Sequence, residues 1–118
     1  MAEIAENIKE VKALKVLIAD DHSIVRKGLR QILQEEYADA YIDEVSDAES
    51  MIKKVMKENY DIIVSDISMP GRSGLDAIPQ IREFNKDTPI IIISIHPEEH
   101  YAVRVLKAGA SGYVSKDQ

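Results

Sequence analysis

The chain has no cysteine and no tryptophan. Without cysteine there can be no disulfide and no thiolate metal centre, and a reducing compartment is the natural setting. Aromatic residues make up only 5% of the chain, and no repeat or low-complexity stretch is present. No apolar run approaches the ~20 residues that a membrane-spanning helix requires. A basic excess is also missing. Fifteen Lys and Arg stand against 21 Asp and Glu, a formal charge of −6. That balance argues against non-specific binding to duplex DNA, which needs a concentrated basic surface to displace counterions. The opening Met1-Ala2-Glu3-Ile4-Ala5-Glu6 is acidic where a secretory signal would be basic. What is present, 45% apolar and 31% charged residues in a chain of 118, suits one soluble cytoplasmic domain with a single core.

Four apolar runs have strand length and β-branched character: Val16–Ala19, Ile62–Val64, Ile90–Ile93 and Gly112–Val114. A weaker fifth is Tyr41–Val45. Continuous rather than alternating apolar runs suit strands covered on both faces, as in a parallel sheet. Helical patterns lie between them. Ser23 is a candidate cap for a helix carrying Ile24, Val25, Leu29, Ile32 and Leu33, and Asp47 for one carrying Met51, Ile52 and Val55. Gly74–Phe84 and Pro97–Ala108 complete the set, with Gly109 placed as a stop. Strands alternating with helices predict right-handed crossovers and a doubly wound α/β sheet. Such sheets carry their sites at the carboxyl ends of the strands.

The first strand ends in Asp20-Asp21, the third in Asp66, the fourth in Ser94, and the fifth leads to Lys116. In a parallel sheet all of these fall on one edge. Three carboxylates together repel one another, and a bound divalent cation or a retained proton relieves them. Hard oxygen ligands favour Mg²⁺, which accepts a phosphate as co-ligand. Lys116 and the Ser94 hydroxyl then suit the remaining phosphate oxygens, and a carboxylate is available as nucleophile.

Three segments carry a resemblance. Val16-Leu17-Ile18-Ala19-Asp20-Asp21-His22 is similar to the opening of the receiver domains of bacterial two-component response regulators. Asp66-Ile67-Ser68-Met69-Pro70-Gly71 resembles their acceptor loop. Ala108-Gly109-Ala110-Ser111-Gly112-Tyr113-Val114-Ser115-Lys116-Asp117 resembles the end of the NarL/FixJ (LuxR-type) subgroup. The resemblance implies a five-stranded parallel sheet of the chemotaxis-regulator type, in strand order 2-1-3-4-5. It implies Asp66 as phosphoacceptor, with Mg²⁺ on Asp20, Asp21, Asp66 and the backbone carbonyl of Ser68. Ser94 and Lys116 are implied to contact the phosphoryl group, and Tyr113 to be the aromatic switch. Ser68 and Ile95 occupy positions that tune access and phosphoryl lifetime. His22 and His96 read as surface or loop residues.

The implied function is a phosphorylation-dependent switch with self-catalysed chemistry and no turnover substrate, served by a sensor histidine kinase. A phosphohydrolase of the haloacid dehalogenase type is the rival, but it would want an Asp where Ser68 stands. A flavodoxin-like binding module is a third possibility, and it would need a phosphate loop where Asp20-Asp21-His22 stands. Receivers normally continue into a fifth helix after Lys116, whereas this chain stops at Gln118 and carries no helix-turn-helix. DNA contact is therefore expected only through a downstream domain outside this sequence. Ile4, Ile8, Val11 and Leu14 form a helical stripe, so residues 1–14 are expected to be an amphipathic leader ahead of a receiver at 15–118. Such a leader is expected to cover the face left open around Val16, Ile18 and Val114, within one chain or across a homodimer.

Overall fold

The computed structural model describes residues 13–71, 73–94 and 99–115. Its strands are β1 (Lys15–Ala19), β2 (Tyr41–Val45), β3 (Ile62–Asp66), β4 (Ile90–Ser94) and β5 (Gly112–Ser115). Between them lie α1 (Ser23–Glu36), α2 (Ala48–Lys57), α3 (Gly74–Phe84) and α4 (Glu99–Ala108). All strands pair in parallel, in the order β2-β1-β3-β4-β5. This is the doubly wound sheet expected, including the weakly patterned β2.

Because side chains alternate across a strand, each apolar run feeds two cores. Leu17 and Ala19 of β1 join a large cluster with Ile63, Ile90 and Ile92, closed by Met51, Ile52 and Val55 of α2, Ala77, Ile78 and Ile81 of α3, and Val105 of α4. Val16 and Ile18 face the other way and form a small cluster with Ile42. Leu14, Leu29 and Leu33 are only partly buried against it. No residue of α1 is buried, and Ile24 is 83% exposed. The stripe on α1 is thus amphipathic but incompletely covered.

Local signals account for the helix ends. The Asp47 carboxylate accepts from the Ser50 N–H at 2.7 Å, and Ser73 accepts from the Asp76 N–H at 3.1 Å. The expected Ser23 cap is corrected: His22 occupies the cap position with an extended backbone and no side-chain cap bond, while Ser23 is already helical. Gly109 does stop α4, at φ +121°, a conformation that side-chain-bearing residues avoid. Arg82 then staples this corner, its Nε donating to the Gly109 carbonyl at 2.9 Å and Nη1 to the Thr88 carbonyl at 2.7 Å.

Of the face around Val16, Ile18 and Val114, Val16 and Ile18 are fully buried, in a cluster with Leu29 and Leu33 of α1 and Ile42 of β2, and Val114 is exposed. One further expectation is corrected. Leu14, assigned to the end of the leader helix, is not helical, and its carbonyl accepts from the Tyr41 N–H at 2.8 Å, extending the β1–β2 ladder. The rest of the leader, residues 1–12, lies outside the described residues, as do 116–118. Among the described residues, no helix is long and apolar enough to cross a membrane.

Candidate functional site

The buried polar or charged side chains among the described residues are Asp20, Ser65, Asp66 and Ser94. All four sit at or next to the carboxyl ends of β1, β3 and β4. Burying a carboxylate is costly unless charge or hydrogen bonds compensate it, so this concentration marks the edge as a site. Asp20 and Asp66 are almost wholly enclosed, and Asp21 is exposed. Ligand atoms of Asp20, Asp21, Asp66 and His22 all lie within 4.8 Å of one another. A set of three carboxylates that close fits a hard divalent cation, and Asp20, Asp21 and Asp66 are the residues that would hold it.

The surroundings fix the main chain at Asp20. The Asp20 N–H donates to the Val45 carbonyl at 3.1 Å, holding the end of β1 against β2. Arg26, one turn into α1, donates from Nη1 to the Asp20 carbonyl at 2.6 Å. Its Nε donates to Glu44 at 3.0 Å, and Glu44 also receives Arg30 at 2.6 Å. Helix α1 is therefore joined to the acidic loop by charge more than by apolar packing.

At the end of β3, the Ser68 N–H lies 3.4 Å from Asp66 Oδ1, and the Ser68 side chain faces solvent. The loop turns at Gly71, whose φ of +82° requires the left-handed region. Gly74 opens α3 so close to β3 that an added Cβ would meet the Asp66 carbonyl oxygen at 2.3 Å. The Ser65 hydroxyl donates to the same carbonyl at 2.9 Å. Position 74 admits only glycine.

Asp20, Asp21, Asp66, Ser68 and Ser94 thus share one edge as expected. Ser94 is paired in register with Ser115, which brings the chain to that edge just before Lys116. Lys116, Ile95 and His96 lie outside the described residues. Tyr113, opposite Ile92, is half-buried and packs against the large core. His22 is 61% exposed, in keeping with its reading as a surface residue, and its ring Nδ1 lies at hydrogen-bonding distance from Asp20 Oδ1, 2.9 Å, with Asp21 Oδ1 at 3.0 Å. Arg26 and Gly74 were missed. A helical Arg and a helix-opening Gly look ordinary until the fold brings them to Asp20 and Asp66.

Comparison with known proteins agrees with this geometry. The response regulator receiver domain model matches residues 16–118. The transcriptional regulatory protein DegU of Brevibacillus brevis is 36% identical over 95% of this chain and 47% of its own length. The oxygen regulatory protein NreC of Staphylococcus carnosus is 39% identical over 88% of this chain and 48% of its own length. The chain thus spans about half the length of these curated relatives. Among solved structures, a LuxR-family two-component response regulator from an Aurantimonas species superposes with a TM-score of 0.84 at 30% identity, covering 91% of this chain and 76% of its own. The response regulator TrrA of Thermotoga maritima, in complex with Mg²⁺-BeF, superposes at 0.77 with 36% identity, covering 87% and 86%. With strand order, acidic edge and sequence in agreement, the chain belongs to the response regulator receiver domains.

Proposed function

We propose that this receiver is switched by phosphorylation of Asp66, with Mg²⁺ held by Asp20, Asp21, Asp66 and the backbone carbonyl of Ser68. The observation that carries the reading is the buried Asp66 carboxylate at the end of β3, within one cluster with Asp20 and Asp21. An Asp66 carboxylate oxygen attacks the phosphorus of a kinase phosphohistidine. A P–O bond forms as the P–N bond breaks, and the imidazole leaves. Mg²⁺ held by these residues would supply charge neutralisation for the transfer. The Asp20 main chain is held by Arg26 and Val45, and its carboxylate accepts from the His22 N–H. The Ser94 hydroxyl and Lys116 take the remaining phosphoryl oxygens. Their displacement moves the surface around α4, β5 and Tyr113. Ser68 and Ile95 set access to the acyl phosphate.

The partner is a sensor histidine kinase, and the module is a signalling switch rather than a turnover enzyme, working in the cytoplasm. The names of the half-matching relatives support transcription control through a DNA-binding domain beyond this sequence. Homodimerisation through residues 1–12 belongs to the same reading, and light scattering with and without them tests it. The central test is intact mass after incubation with acetyl phosphate and Mg²⁺. Wild type gains one phosphate and Asp66→Asn gains none. Uptake by the variant at the wild-type rate removes Asp66 from the role.

A further inference from the structure

Among the described residues, the face of the sheet under α1 is only half roofed. Arg26 and Arg30 tie one flank of α1 to β2, through Glu44 and the Ile42 carbonyl. Gly28 and Ile32 stand two positions to either side of Arg30, roughly 160° around the helix, and so lie on the flank toward β3 and β4. On that side Val64, Ile91 and Ile93 are half-buried, Val114 is 53% exposed and Ile32 is 59% exposed. Helices α2, α3 and α4 are all committed to the opposite face. The result is an apolar groove, with α1 as one wall and β4 and β5 as its floor.

The groove has the measure of a helix. A Cβ added at Gly28 meets nothing within 4 Å, so the wall is lowest at a residue that costs a helix about 1 kcal/mol relative to alanine. That cost is offset where another backbone comes close. The chain carries a further apolar stripe, Ile4, Ile8 and Val11, at the i, i+4, i+7 spacing of a helix face. A helix over residues 3–12 is about 15 Å long, close to the ~17 Å of a five-residue strand. A helix this short is not stable alone in water and needs cover. The stripe leads into Leu14, which already packs on the cluster of Val16, Ile18 and Ile42 bordering the groove.

The tether rules out the chain's own groove. The Leu14 carbonyl is held in the β1–β2 ladder by the Tyr41 N–H. A helix packed over β4 stands about 10 Å above the sheet and about 10 Å to the side of β1, so its near surface is roughly 11 Å from Leu14. The step from residue 12 to residue 14 spans at most about 7 Å. We infer that the leader of each chain lies as a helix in the groove of a second copy, its Ile4, Ile8 and Val11 against Ile32, Ile93 and Val114, with Gly28 admitting the close approach. This rests on the homodimerisation proposed above and names the surface that receives each leader. Two such exchanges about a two-fold axis cover both stripes and both grooves, and close the assembly at two chains.

The test uses the full chain, and light scattering gives the mass of two chains for wild type. Ile8→Asp charges the stripe, and Gly28→Leu fills the groove at a position where the single chain has open space. Each halves the scattering mass at a concentration where wild type is dimeric, and each keeps the circular dichroism of the folded domain. The chain has no cysteine of its own, so the double variant Ile8→Cys/Val114→Cys reports which chain the leader reaches. Oxidation links these chains in pairs under denaturing conditions, a result that stands even if Gly28→Leu fails to fold. A bond closed within single chains puts the leader in its own groove and overturns the inference, and so does the absence of any bond. A folded dimer that survives either Ile8→Asp or Gly28→Leu also overturns it, and leaves homodimerisation standing through another surface. A monomeric wild type overturns homodimerisation and this inference together.

Discussion

The two faces of the sheet are built from the same strands and are covered very differently. On one face, α2, α3 and α4 pack together over a cluster that includes Leu17, Met51, Ile63, Ile78, Ile81, Ile92 and Val105, each essentially inaccessible to water. On the other, among the described residues, α1 is the one helix over Val16, Ile18 and Ile42, and none of its own side chains is buried. A strand residue needs one helix above it to be covered, whereas a helix residue needs neighbours on its flanks as well. The single helix therefore shields the sheet while leaving Ile24 and Ile32 in water. It compensates with ion pairs, Arg26 and Arg30 sharing Glu44 of β2.

The sharpest way to break this contrast is by truncation. Ile78→Ala, on the three-helix face, empties a close-packed site and should cost about 2–5 kcal/mol. Leu33→Ala, a chemically similar loss on the one-helix face, should cost clearly less, since part of its surface already meets water. Denaturant unfolding of both variants checks the pair, and equal losses would erase the distinction between faces.

A smaller effect separates helix starts. Asp47→Ala removes the cap of α2 and should cost about 1 kcal/mol. The Ser50 backbone N–H, with its hydroxyl second, holds the Asp47 carboxyl below its ordinary value of 3.8. A depressed value in the folded state stabilises where the carboxylate is ionised. The cap is fully effective above 3.8 and fades as pH falls through the lower folded value. The melting difference between wild type and Asp47→Ala should therefore shrink in acid. The smallest effect belongs to α1: Ile24→Ser should stay within about 0.5 kcal/mol, because the side chain is already exposed.

These particulars show what the sequence made legible. The central strands β1, β3 and β4 were visible as continuous apolar runs because both their faces are covered, whereas edge strand β2, which carries Asp43 and Glu44, ran from Tyr41 to Val45 as expected on a weaker pattern. Asp47 was visible as a cap because that signal is local. The acidic edge was visible because parallel strands bring their ends together by topology alone. Two things escaped. Ile24 and Ile32 carry the period of a buried stripe, but period reports which side faces inward and not whether anything lies beyond it. Arg26 and Gly74 gained their meaning from contacts to Asp20 and Asp66 that no spacing rule encodes.

The contact at Gly74 has a mechanical side. The main chain that carries Asp66 and the main chain that opens α3 touch with no side chain between them, and the Gly74 N–H donates to the Ile67 carbonyl at 2.8 Å. Side chains absorb small displacements by rotating, and here there is none to rotate. The joint has no slack. A side chain at position 74 would push the first turn of α3 off the end of β3, so the spacing between the two elements is set by main chain alone.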